Sequence, residues 1–367
     1  QMNTRLLFFL FLFMNVTLSQ AQNNQIPLYV GTYTSPNGSK GIYEFSFDTK
    51  TGDATLLRET STANPSFLDR RGYFLLAANE MTDGSQSLSS FSLGKDGLTF
   101  QNKLATGGSA PCHVVIGKDA EYAVVSNYLG GALDLFQLSP KGEIISKDDT
   151  KLYHGKSVDK SRQEASHIHS AFFGPDNLLY VSDLGGDKIY ILDIQKTDNG
   201  KFQFVEKGKI NVNLGGGPRH IAFHPNGKLL YSLMEMTGDI EVFKKKDGVW
   251  DSYQIISMRS PEFEGKSGAA DIKVSSDGKF LYSTDRIDAN TITTFAIGKN
   301  GKLKRIEVNS VLGKGPRNFN FSPDERFVLV GNQLTDEIVV FNRDKKSGKL
   351  TDSGKRIKAS KPVCILF

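Results

Sequence analysis

The sequence predicts an all-β fold: a seven-bladed β-propeller closed by a C-terminal strand that completes the N-terminal blade. Three observations predict it. A hairpin pattern recurs from Pro65, Pro111, Ser166, Pro218, Ala269 and Pro316, at spacings of 46, 55, 52, 51 and 47 residues. Each hairpin is followed by a third strand-like run: LSSFSL, ALDLFQL, KIYILDI, DIEVFK, TITTFAI or EIVVFN. Repeats of about 40–50 residues with four strands each are the signature of propeller blades. The two termini hold the parts of a seventh blade. LYVGTYT (28–34) and GIYEFSFD (41–48) lack a first strand, and Lys361–Phe367 reads as a first strand with nothing after it. Joining them closes the ring and removes the edges that a linear array would expose.

The chain begins with a different kind of segment. Arg5 precedes an apolar run, Leu6–Leu18, which ends at Ser19-Gln20-Ala21. A basic start, an apolar core and a small-x-small site predict a secretory signal peptide over residues 1–21. The run has 13 residues, too few to span about 30 Å of hydrocarbon. Residues 22–367 are then expected to be a single propeller domain. Its expected location is the bacterial periplasm or the extracellular space, with no membrane contact after cleavage.

Each hairpin follows from local chemistry. In GGGPRHIAFHPNGKLLYSLME (215–235), the glycines and Pro218 end the preceding segment. Arg219–His224 reads as a strand, Pro225-Asn226-Gly227 as a turn, and Leu229–Leu233 as the return strand. Antiparallel pairing sets the start of the first strand beside the end of the second. Arg219, His220 and Glu235 therefore share one edge. PSFLDRRGYFLLAANE, PCHVVIGKDAEYAVVSNY, SHIHSAFFGPDNLLYVSD, AADIKVSSDGKFLYSTDR and PRNFNFSPDERFVLVGNQ repeat that shape. Their third strands are rich in β-branched and aromatic residues, as sheets require.

Composition excludes several classes. Forty-five Lys and Arg against 40 Asp and Glu leave a net charge of only +5, and no basic stripe or base-stacking motif accompanies it. Nucleic acid is therefore not an expected partner. There is no P-loop, G-x-G-x-x-G, G-x-S-x-G or H-E-x-x-H motif, so no cofactor is expected. Cys112 and Cys364 are the two cysteines. Both fall in first strands with a whole blade between them, too far for a disulfide, and two buried free thiols are expected. Alternation along a strand would also point Cys112 away from His113.

Blade geometry gathers polar residues at one mouth of the ring. The starts of first strands and ends of second strands carry His113, Asn127, Tyr128, His167, His169, Asp183, Arg219, His220, Glu235, Asp285, Arg286, Arg317, Asn318, Asn332 and Gln333. Asn79, Glu80, Thr32 and Tyr33 join them. The opposite strand ends carry plain turn residues such as Ser276-Asp277-Gly278. This asymmetry predicts a polar pocket. His167, Asp183, His220, Arg317, Asn332 and Gln333 are expected to contact its ligand. His167-x-His169 with Asp183 could instead ligate zinc. No further ligand is specified, however, and the arginines disfavour a cation, so no metal is assigned.

GGGPRHIAFHPNGKLLYSLME, SHIHSAFFGPDNLLYVSDLGGD, PCHVVIGKDAEYAVVSNYLGG and NPSFLDRRGYFLLAANE resemble blades of the propeller-type lactonase family. That family includes bacterial 6-phosphogluconolactonases and carboxymuconate cycloisomerases. The resemblance runs from LYVGTYT to PVCILF. It implies catalytic roles for His169, Arg219, Glu235 and Arg286. Two departures stand out: Ser166 replaces the family's proline, and Asp285-Arg286-Ile287 replaces its Asn-Arg-Gly. The activity implied is hydrolysis of a sugar-acid lactone, 6-phosphorylated or not, with the lactone as small-molecule partner. Glu235 or His169 would move the proton and the arginines would hold negative charge. A non-catalytic binding propeller and a muconate-lactonising cycloisomerase are the alternatives. The oligomeric state is left open.

Overall fold

The computed structural model describes residues 24–367; the expected leader over 1–21 lies outside them. The described residues form seven four-stranded antiparallel sheets, each one blade. Blade 1 is ordered Pro362–Leu366, Gln25–Thr32, Gly41–Asp48, Ala54–Ser61. The C-terminal strand is thus its innermost strand, in register Tyr29↔Leu366, Val30↔Ile365 and Gly31↔Cys364. The remaining inner strands are Pro65–Arg71, Ser109–Ile116, Ile168–Phe173, Pro218–Phe223, Ala269–Val274 and Pro316–Phe321, for blades 2 to 7. They pack against one another around the central channel.

Burial runs outward from that channel. Second strands such as Leu229–Met234, Phe280–Asp285 and Phe327–Asn332 are buried at every position. Both faces of each are covered by neighbouring blades, so the apolar run is continuous rather than alternating. Outer strands such as Ala54–Ser61 are largely open to solvent. The core lies between blades: Tyr231, Leu281 and Phe295 meet across blades 5 and 6 at 0 % exposure. Leu281 and Phe295 each contribute about 1.5–3 kcal/mol on burial.

The blade 5 hairpin turns as its sequence predicts. Gly227 N donates to His224 O at 2.9 Å with φ +71°, which only glycine adopts freely.

Every inner strand carries a register shift near its mouth end, for example between Pro111 and His113, Pro218 and Ile221, and Pro316 and Asn318. A bulge sets two residues against one and re-aims their side chains. Consecutive residues therefore both point into the channel, and strict alternation fails for Cys112 and His113. Cys112 lines a cavity at the mouth. The His113 ring lies deeper, against Phe67 at 4.2 Å and Phe172 at 4.7 Å. Cys112 and Cys364 are free and buried.

Candidate active site

Glu235 sits one residue beyond Leu229–Met234, and its backbone N donates to Gly217 O at 2.8 Å. That bond fixes the carboxylate over the channel mouth. Three guanidinium groups converge on it. Arg162 Nη2 is 2.7 Å from Oε1, Arg219 Nε is 3.0 Å from Oε2, and Arg286 Nη2 is 3.3 Å from Oε2. The Arg219 contact is an ion pair off the N–H axis rather than an aligned hydrogen bond, so this Nε–H has no hydrogen-bond acceptor. Burial pushes the Glu235 carboxyl up, but the charges of Arg286, Arg219 and Arg162 outweigh it and hold it at about 2. Glu235 is therefore an anion and a weak base.

His169 stands across from it, with Nε2 3.9 Å from Glu235 Oε2. Burial first, then the charges of Arg219, His220, Arg317 and Arg286, hold the imidazole well below its ordinary range. It is neutral at pH 7, with a lone pair to offer. Cys112 Sγ lies 3.2 Å from His169 O and 4.0 Å from Nδ1. Burial pushes this thiol up, so it stays protonated and is no thiolate nucleophile.

Glu235, Arg162, Arg286, His169 and Cys112 enclose a cavity of about 240 Å³, completed by Glu80, Tyr128 and Arg317. Tyr33 Oη donates to Glu80 Oε2 at 2.8 Å, and the Arg317 guanidinium lies 5.4 Å from the Tyr33 ring centroid. Arg317 pairs with no carboxylate among the described residues. Burial, and next the charge of Arg219, lower Arg286 to about 9. Counting Arg162, Arg219, Arg286 and Arg317 against Glu80 and Glu235, the site carries a surplus of about two positive charges. It suits an anion or a developing oxyanion.

The structure brings His169, Glu235, Arg286 and Arg317 to this cavity wall. Arg219 lies one layer deeper, lining a small void beneath the cavity with Ser66, His220 and Asn318. The other expected ligand contacts do not line the cavity. His167 stacks on Tyr128 at 4.5 Å, with Nδ1 3.0 Å from Tyr128 O and Nε2 3.0 Å from Glu164 Oε1. Asp183 accepts from Ser166 Oγ, His167 N and Gly186 N at 2.8, 2.9 and 3.0 Å, tying down a blade crossing. Asn332 Nδ2 donates to Val311 O at 3.0 Å. Gln333 contributes a backbone N to Gly315 O at 2.9 Å. His220 pairs with Asp271 at 2.9 Å. His167 and Asp183 spend their polar atoms on these bonds and do not join His169 as zinc ligands, and no group of three metal-ligating side chains exists among the described residues.

Arg162 is the residue that the repeat pattern hides. It lies in the crossing from blade 3 to blade 4, between Leu152 and Ile168. The signal for it is the spacing of 55 residues, the longest in the series. Tyr128 and Glu80 occupy the same second-strand ends as Glu235; blade geometry puts both at the mouth, and the structure adds them to the wall, beyond the residues expected to contact the ligand.

A family model described as "Lactonase, 7-bladed beta-propeller" matches residues 27–367. The chain is 34 % identical over 335 residues to a 6-phosphogluconolactonase of Formosa agariphila, covering 88 % of this chain and 94 % of that protein. It is 32 % identical to a 6-phosphogluconolactonase of Bacillus subtilis, covering 92 % and 97 %. Its structure superposes on a periplasmic gluconolactonase of Pseudomonas aeruginosa with a TM-score of 0.87 at 30 % identity, covering 93 % and 98 %.

Proposed function

The chain belongs to the seven-bladed β-propeller lactonase family, and from that premise we propose how the Glu235 cavity carries out its reaction. The chain is a lactonase, and its reaction is hydrolysis of a lactone. The observation that carries the mechanism is the gap of 3.9 Å between Glu235 Oε2 and His169 Nε2. It is too long for a hydrogen bond and short enough for one water to touch both atoms.

That water donates one hydrogen to the ionised carboxylate and the other to the neutral imidazole. Its oxygen attacks the lactone carbonyl carbon as His169 Nε2 takes the proton. The carbonyl oxygen becomes an oxyanion, met by Arg286 and Arg162. Collapse breaks the ring C–O bond, and the His169 imidazolium returns its proton to the leaving alkoxide. The oxyanion also offsets the arginine charges that depress His169, so the imidazole grows more basic as it is needed. Glu235 keeps two cations in place while it aims the water. Arg219 supports Glu235 from below.

The relatives' names supply two substrate classes. The leader expected over 1–21 and the likeness to a periplasmic gluconolactonase favour an exported enzyme acting on an unphosphorylated aldonolactone. Arg317, half-buried at the wall without a carboxylate partner among the described residues, favours an added anionic group such as a 6-phosphate. The test is the rate of opening of δ-gluconolactone and of its 6-phosphate against the spontaneous rate in buffer. Acceleration of either supports the reading, and rates equal to buffer for both overturn it.

A further inference from the structure

We infer that His220 and Asp271 are positioning residues for this reaction, a neutral His220 imidazole clamping Arg219 beneath Glu235. The inference rests on the reading that Glu235 lies at the reacting centre.

His220 is 2 % exposed and lies outside the cavity. Its Nδ1 is 2.9 Å from Asp271 Oδ1. Burial works against ionisation of Asp271, but Lys273 and His220 outweigh it and hold the carboxyl far below its usual range. An ionised carboxylate only accepts, so Nδ1 carries the hydrogen and Nε2 keeps its lone pair. That lone pair faces Arg219 Nη1 at 3.4 Å. The second hydrogen of Nη1 goes to Ala270 O. Both donors of one guanidinium nitrogen are thus held on the side away from the cavity, while Nε faces Glu235.

The clamp cannot easily turn. The His220 ring is walled by Phe67, His113, His169 and Phe172, with centroids between 5.6 and 6.0 Å away. Asp271 also accepts from Asn318 Nδ2 at 2.7 Å and Phe319 N at 3.3 Å. Asn318 Oδ1 in turn accepts from Ile365 N at 2.7 Å on the closing strand. The belt spans blades 5, 6, 7 and 1, so the ring closure itself sets the position of Arg219. A protonated His220 would aim N–H at N–H and push the guanidinium off. The charged or titratable groups around it are Asp271, Lys273, Arg219, His113 and His169.

Two measurements on the full chain test this. In nitrogen-15 NMR of the wild-type protein at pH 7, His220 should show a protonated Nδ1 and an unprotonated Nε2. The opposite tautomer or an imidazolium overturns the inference whatever the variants do. In a kinetic double-mutant cycle, His220→Phe should lower kcat roughly 10- to 100-fold, the scale of a small misplacement, with KM nearly unchanged. On an Arg219→Lys background the same change should cost less than about threefold, because the two act as a unit. Losses that simply multiply would mean independent structural damage and contradict it. Failure of the underlying reading shows separately, as Glu235→Gln turning over at the wild-type rate.

Discussion

Arg162 Nη2 lies 2.7 Å from Glu235 Oε1, an ion pair between a blade crossing and a strand end 73 residues away. The same nitrogen is 3.2 Å from Tyr128 Oη. Arg162 is partly exposed and packs against no core, so its removal should spare the fold. Arg162→Gln should melt within a few degrees of wild type and lower kcat/KM by about 10- to 100-fold, the scale of a lost charged hydrogen bond. Steady-state kinetics with unchanged melting checks this; an unchanged kcat/KM would make the crossing a bystander.

Glu235→Gln should harm both activity and stability. Glu235 is 8 % exposed and faces three guanidiniums. Removing its charge leaves the buried Arg219 without its carboxylate, at a cost of about 3–5 kcal/mol. Urea unfolding should show that loss, with kcat down by roughly 10²-fold or more.

Acid should destabilise the fold through its buried histidines. Burial lowers His113 and His169 well below their ordinary range and His220 to about 4. Unfolded histidines take up protons near pH 6.5. Below that pH the unfolded state binds more protons, so stability is full above about 6.5 and declines toward about 4. Glu235, held at about 2, acts in the same direction at lower pH, from its unfolded value downward. Melting temperature measured from pH 7.5 to 5 should fall, and His113→Phe should flatten the slope.

The closing strand should be indispensable. Deleting 362–367 strips the inner partner from Gln25–Thr32 and the Ile365 N–H donor from Asn318 Oδ1. The exposed edge invites association, and size-exclusion chromatography should show aggregate in place of the discrete wild-type peak.

Arg317→Gln separates the substrate classes. It should raise KM for a 6-phosphorylated lactone by about tenfold or more and change that of the unphosphorylated lactone little. Equal losses on both would assign Arg317 to the carbonyl end.

The blades, their closure and the meeting of Arg219 with Glu235 were legible because hairpin register is local. Which residues face the ligand was not. The mouth-end bulges override alternation, so Arg219 and His220 turn beneath the cavity while Arg317 stays in its wall. His167, Asp183 and Asn332 look available in sequence, but Tyr128 O and Glu164 hold His167, Ser166 Oγ and the His167 and Gly186 amides hold Asp183, and Val311 O holds the Asn332 amide nitrogen. Arg162 comes from a crossing that no repeat describes.

The central claim is that neutral His169 takes the proton of a water held against Glu235. The most direct test is kcat for lactone opening by His169→Gln, with melting and Glu235 intact. The account predicts a loss of roughly 10²- to 10⁴-fold, the contribution of a positioned base. A wild-type kcat in a folded His169→Gln protein would contradict it.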